Sequence, residues 1–507
     1  MRRDLRTSSQ AQIAVTCDAA IPDGIEPSSG SITAILGAGP AGLTAAFELT
    51  RHGRAAVVFE AAPSVGGLAR TVEYHGYLFD LGGHRFFTKT PEVEQIWRDV
   101  LGDDLLLRPR LSRILYQGRF FRYPLQPWDA VQNLGLVETL RCAASYLKAL
   151  CFPTRPEEDF ETYISNRFGR RLYERFFRAY TEKVWGLPCS EIRAEWAAQR
   201  IRGLDFGAIL RNAFEFGAPR NRRRVLRTLT SEFLYPRRGP GMMWERMSAR
   251  LREAGVAIHL RTPVTRLEWD GRAITTIRCG SVSRRVSHVI STIPLSALCF
   301  SLEPPPPEPV LSAARSLRYR DFVIVALIYK ERELFRDNWI YIHDPNVRAG
   351  RIQNFKNWSP EMTPDSETTC LGVEYFCTEG DDVWGQKDNE LVRFAAGECA
   401  SLGIAPLERL VDGAVVRVRK AYPVYDARYA DAVTELRKFL KTIRNLQVVG
   451  RNGMHRYNNQ DHSMLSGILA ARNVMGADYD LWSVNADDEY LEEGSVHNAE
   501  NYAIRAV

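Results

Sequence analysis

The chain reads as an α/β protein: a discontinuous parallel-sheet domain that carries an inserted helical region and a second, antiparallel sheet. Three observations predict this. First, a short apolar run of strand length, Ile32 to Leu36, passes through a glycine-rich turn into a helical stretch, Ala41 to His52, and on to a second apolar run, Ala55 to Phe59. Second, helical spacing with few glycines dominates residues 128–215, Leu134, Val137, Leu140 and Ala144 among them, whereas strand-like runs such as DFVIVALIYK and CLGVEYF fill residues 320–380. Third, Leu446 to Asn473 repeats the opening order of strand, glycine turn and helix, which brings the chain back to the first domain.

The opening unit carries the clearest chemistry. Gly37, Gly39 and Gly42 fall at G-x-G-x-x-G spacing between strand and helix, where a phosphate would meet free backbone N–H groups and the positive end of the helix dipole. Glu60 ends the second strand, placed to accept hydrogen bonds from a ribose. Together these predict a dinucleotide site of Rossmann-like form. Gly66, Gly67 and Arg70 follow at once, a glycine pair and a cation suited to a pyrophosphate, and Asp80, Gly82, Gly83 and His84 form a second glycine turn. This double arrangement resembles the FAD-binding module of amine oxidases, protoporphyrinogen oxidases and UDP-galactopyranose mutases, and a simple NAD dehydrogenase lacks it.

Composition bounds the alternatives. At 507 residues with 45% hydrophobic and 25% charged residues, the chain has the makeup of a soluble globular protein of two or three domains. The net charge of +6 is small for this length, so nucleic acid is not expected as a partner. No apolar run is long enough for a transmembrane segment, and a cytoplasmic location is expected. The nine cysteines form no C-x-x-C pair, which argues against a zinc site and a disulfide framework. H-E-x-x-H and G-x-S-x-G are absent, leaving metallopeptidase and serine-hydrolase readings without support.

In chain order, residues 1–30 read as a disordered leader and 31–110 as the first part of the FAD-binding domain. Residues 111–234 read as a mainly helical insertion, entered through a hairpin at Arg113 to Pro127 and containing an arginine block, Arg220 to Arg227, that reads as a solvated loop. The aromatics of Phe176 to Ile192 recur at helical spacing and read as helix core. Residues 235–302 return to the FAD-binding domain, with Arg284 to Thr292 as one strand. Glu303 to Pro309, EPPPPEP, reads as a linker that neither pairs in a sheet nor enters a helix. Residues 303–415 form the antiparallel-sheet domain, 416–480 the last part of the FAD-binding domain and 481–507 a tail.

The blocks GGHRFF, RYPLQP, AYTEKVWG, GPGMMWE, RIQNFKNWSP, KAYPV and GRNGMHRYNNQDHS occur in an order that resembles the UDP-galactopyranose mutases, most closely the eukaryotic type. The resemblance implies a redox-neutral isomerase acting on a nucleotide-diphosphate sugar. In that family the N5 of reduced FAD attacks the anomeric carbon and displaces the diphosphate, and the ring opens and recloses at the smaller size. It implies that Arg351 and Arg200 bind the diphosphate, that Tyr422 and Tyr457 hydrogen-bond it, and that His84 lies beside the flavin. It further implies that Gly450 and Arg451 contact the cofactor phosphates, that Asp461 lies in the turn near the isoalloxazine, and that backbone near Val264 meets adenine. A reductant such as NAD(P)H or a reductase is then required, and a homo-oligomer is compatible. The uracil-binding segment sought after Trp196 is not recognisable, so the nucleotide and sugar stay open. The alternative is an FAD-dependent oxidoreductase of amine oxidase, protoporphyrinogen oxidase or desaturase type.

Overall fold

The computed structural model describes residues 32–123, 127–201 and 232–485, without the side chains of 127–130 and 198–201. The expected leader, the Arg220 to Arg227 block and the tail from residue 486 onward lie outside the described residues.

A five-stranded, all-parallel sheet gathers strands from distant parts of the chain, in the spatial order Leu446–Val448, His288–Ser291, Thr33–Leu36, Ala56–Phe59, Ala257–His259. Its strands are apolar because helices cover both faces. On one face Ile35, Val58 and Ile290 pack against the helices Pro40–Arg51, Gly241–Glu253 and Gln460–Val474. On the other, Leu36, Val57, Phe59 and Val289 meet the helices Leu295–Ser301, Glu308–Ser316 and Tyr429–Leu440. Alternate residues of each strand thus supply two cores.

A seven-stranded sheet forms the second body, ordered Leu410–Pro423, Tyr319–Tyr329, Thr369–Cys377, Arg351–Asn354, Trp339–Ile342, Ser112–Tyr116, Arg119–Arg122. Val323, Val325 and Leu327 pack on the helix Asp388–Ser401, while Phe322, Ile324 and Phe376 turn toward Leu78, Phe79 and Tyr235 beside the cofactor domain. The helical layer, with Tyr173, Phe176 and Trp185 buried, packs on Ile114 and Phe121 of the same sheet. The Phe176 to Ile192 aromatics are therefore largely core, as their spacing predicts, with the exception of Tyr180.

Four details differ from the expectation. The hairpin of Ser112–Tyr116 and Arg119–Arg122, placed by sequence at the head of the helical insertion, is the edge of the seven-stranded sheet, where Ser112 to Leu115 pair in parallel with Trp339 to Ile342. The strand Leu410–Pro423 belongs wholly to that sheet and crosses the expected 415/416 boundary. Arg284 to Thr292 splits: Val282–Arg285 pairs antiparallel with Ile274–Cys279, and only His288–Ser291 enters the parallel sheet. EPPPPEP is not a bare linker, because Glu303 pairs with Glu268 and Glu308 opens a helix with proline in its first turn. Proline is tolerated there because the first-turn N–H has no helical partner.

Candidate active site

The glycine turn is shaped by contacts that no other residue could make. Gly37 has φ +103°, and a Cβ there would stand 2.1 Å from Thr292 Oγ1. A Cβ on Gly42 would stand 1.9 Å from the Gly37 carbonyl oxygen. Gly39 precedes the helix Pro40–Arg51 without a side-chain cap, which leaves the first helical N–H groups for an anion. Gly67 passes so close that its Cβ would be 3.2 Å from Gly39 Cα. The Glu60 carboxylate accepts from Ala38 N at 2.7 Å and Ala62 N at 2.8 Å, so it is held at the strand end facing the turn. Arg70 lies nearby and makes no hydrogen bond to another described residue. Burial lowers its pKa, and the Glu60 charge partly restores it. Thr262 N donates to Glu60 O at 2.8 Å, which brings the segment leading to Val264 alongside the acid.

From the far end of the chain, Gly450 comes against the first helix, its Cβ position 3.1 Å from Ala41 Cβ. Asp461, in the first turn of the helix Gln460–Val474, is buried with Oδ1 making no hydrogen bond among the described residues and lying 3.7 Å from His462 Nδ1, and burial raises its pKa. A side-chain-free cradle, a helix N-terminus, a fixed carboxylate and an open arginine fit the two phosphates and ribose of a dinucleotide.

The second glycine turn meets the seven-stranded sheet. Arg351 lies against it, with a Gly83 Cβ position 3.2 Å from Nη1 and a Gly82 Cβ position 3.7 Å from Nη2. Its side chain is 16% exposed and its partner Glu374 fully buried. Both Nε at 2.8 Å and Nη2 at 2.7 Å reach the same oxygen, Oε2, while Gln353 Nε2 donates to the other. Burial opposes the Arg351 charge, and Glu374, Tyr422 and Tyr180 outweigh it, so its pKa stands well above the ordinary value. His84 is pushed down to about 3, by burial first and then by the charges of Arg451 and Arg351. It is therefore a neutral imidazole between two guanidinium groups.

Tyr422 and Tyr457 stack with centroids 5.6 Å apart, and Arg451 lies 4.5 Å from the Tyr457 ring centroid and 5.7 Å from that of Tyr422. Burial first, then Tyr457, raises the Tyr422 pKa, so its hydroxyl keeps its proton at neutral pH. Sequence assigns Gly450 and Arg451 together to the cofactor phosphates. Gly450 touches the first helix, and the Arg451 guanidinium lies over the two tyrosines. Arg200 lies in the helix Ala194–Ile201, with its side chain outside the described residues.

Two groups were missed from sequence. Tyr180 stacks on His343 with centroids 4.5 Å apart and stands edge-on to Tyr341 at 5.8 Å. Tyr341 pairs across the strands with Arg351, and the Tyr180 phenol feels the Arg351 charge. Beyond them, Ser112, Trp339 and Gln353 sit side by side in register on neighbouring strands. Ser112 Oγ, Trp339 Nε1 and Gln353 Oε1 are each buried without a hydrogen-bond partner among the described residues, and so are all three guanidinium nitrogens of Arg110. Arg110 lies 5.7 Å from the Trp339 ring centroid and 5.5 Å from that of Tyr123. The unsatisfied donors of Arg110, Trp339 and Ser112 suit an anionic ligand group, whereas Gln353 Oε1 is an acceptor.

The fold and the sequence each have known relatives. The chain is similar to a crystal structure of reduced UDP-galactopyranose mutase, with a TM-score of 0.78 at 23% identity, covering 90% of this chain and 98% of that one. It is similar to a putrescine oxidase variant with a TM-score of 0.61 at 15% identity, covering 88% and 99%. Among curated proteins it is 26% identical over 320 residues to protoporphyrinogen oxidase 1 of Arabidopsis thaliana, 59% of each chain. It is 24% identical over 358 residues to the Nicotiana tabacum chloroplastic enzyme, 67% of this chain and 63% of that one. The chain thus spans 59% and 63% of the length of these two relatives. The model of the flavin containing amine oxidoreductases matches residues 40–475, so the chain belongs to that family and its cofactor is FAD.

Proposed function

We propose that the protein is a flavin-dependent nucleotide-sugar mutase that interconverts pyranose and furanose rings of a UDP-galactose-like substrate without net redox change. The observation that carries this reading is the meeting of Arg351, Arg451, Tyr180, Tyr422 and Tyr457 over the Gly82–His84 turn. Among the charges there, Glu374 offsets one arginine, His84 is neutral and one positive charge remains. Such a site attracts a diphosphate and repels a protonated amine.

Reduced flavin, when bound, supplies the nucleophilic centre for the anomeric carbon. The chain's own residues bind and orient. Arg351 spends Nε and Nη2 on Glu374, and Nη1 faces the flavin-side turn, where it can donate to a departing phosphate oxygen. The Tyr180 and Tyr422 hydroxyls remain donors at neutral pH, and Arg451 adds charge to the same anion. A reductant such as NAD(P)H or a reductase would keep the flavin reduced, and the proposed location is cytoplasmic.

A second reading, an FAD-dependent oxidoreductase of protoporphyrinogen oxidase type, is favoured by the curated relatives, because the same arginines would serve a carboxylate-bearing substrate. Anaerobic incubation of the reduced protein with UDP-galactofuranose separates the two. The mutase forms the pyranose with no change in the flavin spectrum. Failure to form it, together with substrate-dependent bleaching of the oxidised flavin by a porphyrinogen, assigns the second reading.

A further inference from the structure

We propose that the outer face of the helix Leu136–Cys151 is a docking surface for an anionic phospholipid bilayer. Leu136, Val137, Leu140, Leu147 and Leu150, with Phe152 just beyond the helix, are between 55% and 77% exposed. At helical spacing the five helical residues share one arc with Ala144 and Cys151, so the helix turns an apolar stripe to the outside, the reverse of a solvated surface helix.

The stripe is not an unfinished inner face. Cys142 and Tyr146 on the opposite side are both buried, Cys142 within the helical core. Glu138, the helix's single acid, receives Arg171 Nε at 2.5 Å and Nη2 at 2.9 Å and Arg175 Nε at 2.8 Å. A Cβ on Gly169 would stand 2.6 Å from Tyr146 N, so the helix is clamped and cannot roll its leucines inward.

Charge selects the occupant. Arg141 and Lys148 border the stripe, both exposed, and Arg141 reaches Glu138 only at 3.7 Å. A two-fold contact between copies would set this cationic margin against the same apolar face, where among the described residues of the helix Glu138 is the one carboxylate and is held by Arg171 and Arg175. Anionic headgroups meet the cations while the leucines enter the acyl boundary, the arrangement of a helix lying in the interface. No described helix is long and apolar enough to cross a membrane, so the contact is one of lying on the bilayer.

The test is sedimentation of the full-length holoprotein with vesicles of phosphatidylcholine, with and without phosphatidylglycerol. Binding to the anionic vesicles is expected, weakened by salt and by roughly fivefold for each of Arg141→Gln and Lys148→Gln. It is expected to be lost in Leu140→Gln/Leu147→Gln, whose flavin spectrum, melting temperature and turnover of soluble nucleotide sugar stay those of the parent. The proposal is overturned if the parent ignores anionic vesicles, or if Leu140→Gln/Leu147→Gln binds them equally and so places the contact elsewhere. It is equally overturned if the parent is a dimer that this variant converts to a monomer, which assigns the face to a second copy.

Discussion

At the scale of residues, the Arg351–Glu374 pair is structural and, under the proposed function, also binds the ligand, and the two contributions separate experimentally. Arg351→Ala strands a fully buried carboxylate, a loss of about 3–5 kcal/mol of stability, and removes charge-assisted bonds to a diphosphate worth about 1.5–3 kcal/mol. In Arg351→Ala/Glu374→Gln the charge is gone from both partners. Melting recovers most of the first loss, while UDP affinity, read by flavin fluorescence or calorimetry, stays weakened. Recovery of both would show that Arg351 serves only Glu374.

Arg110 gives the opposite signature. Its buried guanidinium lacks an acceptor among the described residues, so Arg110→Met is expected to relieve a desolvated charge and raise stability by about 1–3 kcal/mol, while affinity for an anionic ligand falls. A melting temperature that drops would mean the cation is satisfied as it stands. The family resemblance pointed to His84, Arg351, Tyr422 and Tyr457, and the structure brings all four together. Sequence could not point to Arg110 or Ser112, because their place beside Trp339 and Gln353 depends on cross-strand register, which a single chain does not display.

At the scale of elements, the strand–turn–helix unit tolerates almost no added atom. Gly42→Ala drives a methyl into the Gly37 carbonyl, and the helix cannot retreat because Gly467 of the last long helix packs on Ala41, where a Cβ would stand 2.3 Å from the carbonyl oxygen. Strain of about 1–3 kcal/mol and a reduced flavin-to-protein absorbance ratio after purification are the expected results. Full flavin occupancy would show that the turn can open. This unit was legible because every requirement is local: glycine where φ or space demands it, apolar runs where helices cover both faces. The hairpin at Arg113 was legible as a hairpin from its period-two pattern. Its sheet was not, because the partner Trp339–Ile342 lies more than two hundred residues away. EPPPPEP misled because a proline run excludes helix interiors but permits a helix start, which is how Glu308 and Pro309 are used.

At the scale of the molecule, the separated segments are tied by one buried hydrogen-bonded knot. Asp80, from the hairpin before the flavin-side turn, accepts from Tyr235 OH at 2.5 Å and from Thr71 Oγ1 at 2.9 Å, and Met362 Sδ of the substrate-sheet side lies 3.9 Å from the same hydroxyl. Burial raises the Asp80 pKa to about 7, with Tyr235 and Thr71 pulling against it. The sign follows directly. Between the unfolded carboxyl's pKa near 4 and about 7 the folded state holds the extra proton, so this group's contribution to stability falls as pH rises through that window. Tyr235→Phe removes a donor that favours the ionised form and so pushes the Asp80 pKa higher. The stability difference between parent and variant is therefore expected to be smaller at pH about 5.5 than at about 8.5, reaching about 1–3 kcal/mol at the higher pH. Because the knot joins chain segments around residues 71, 80, 235 and 362, flavin release and loss of near-ultraviolet dichroism should shift together in the variant. A difference that is flat with pH would show that Asp80 stays protonated throughout, and a shift in dichroism without flavin release would show that the bodies melt independently.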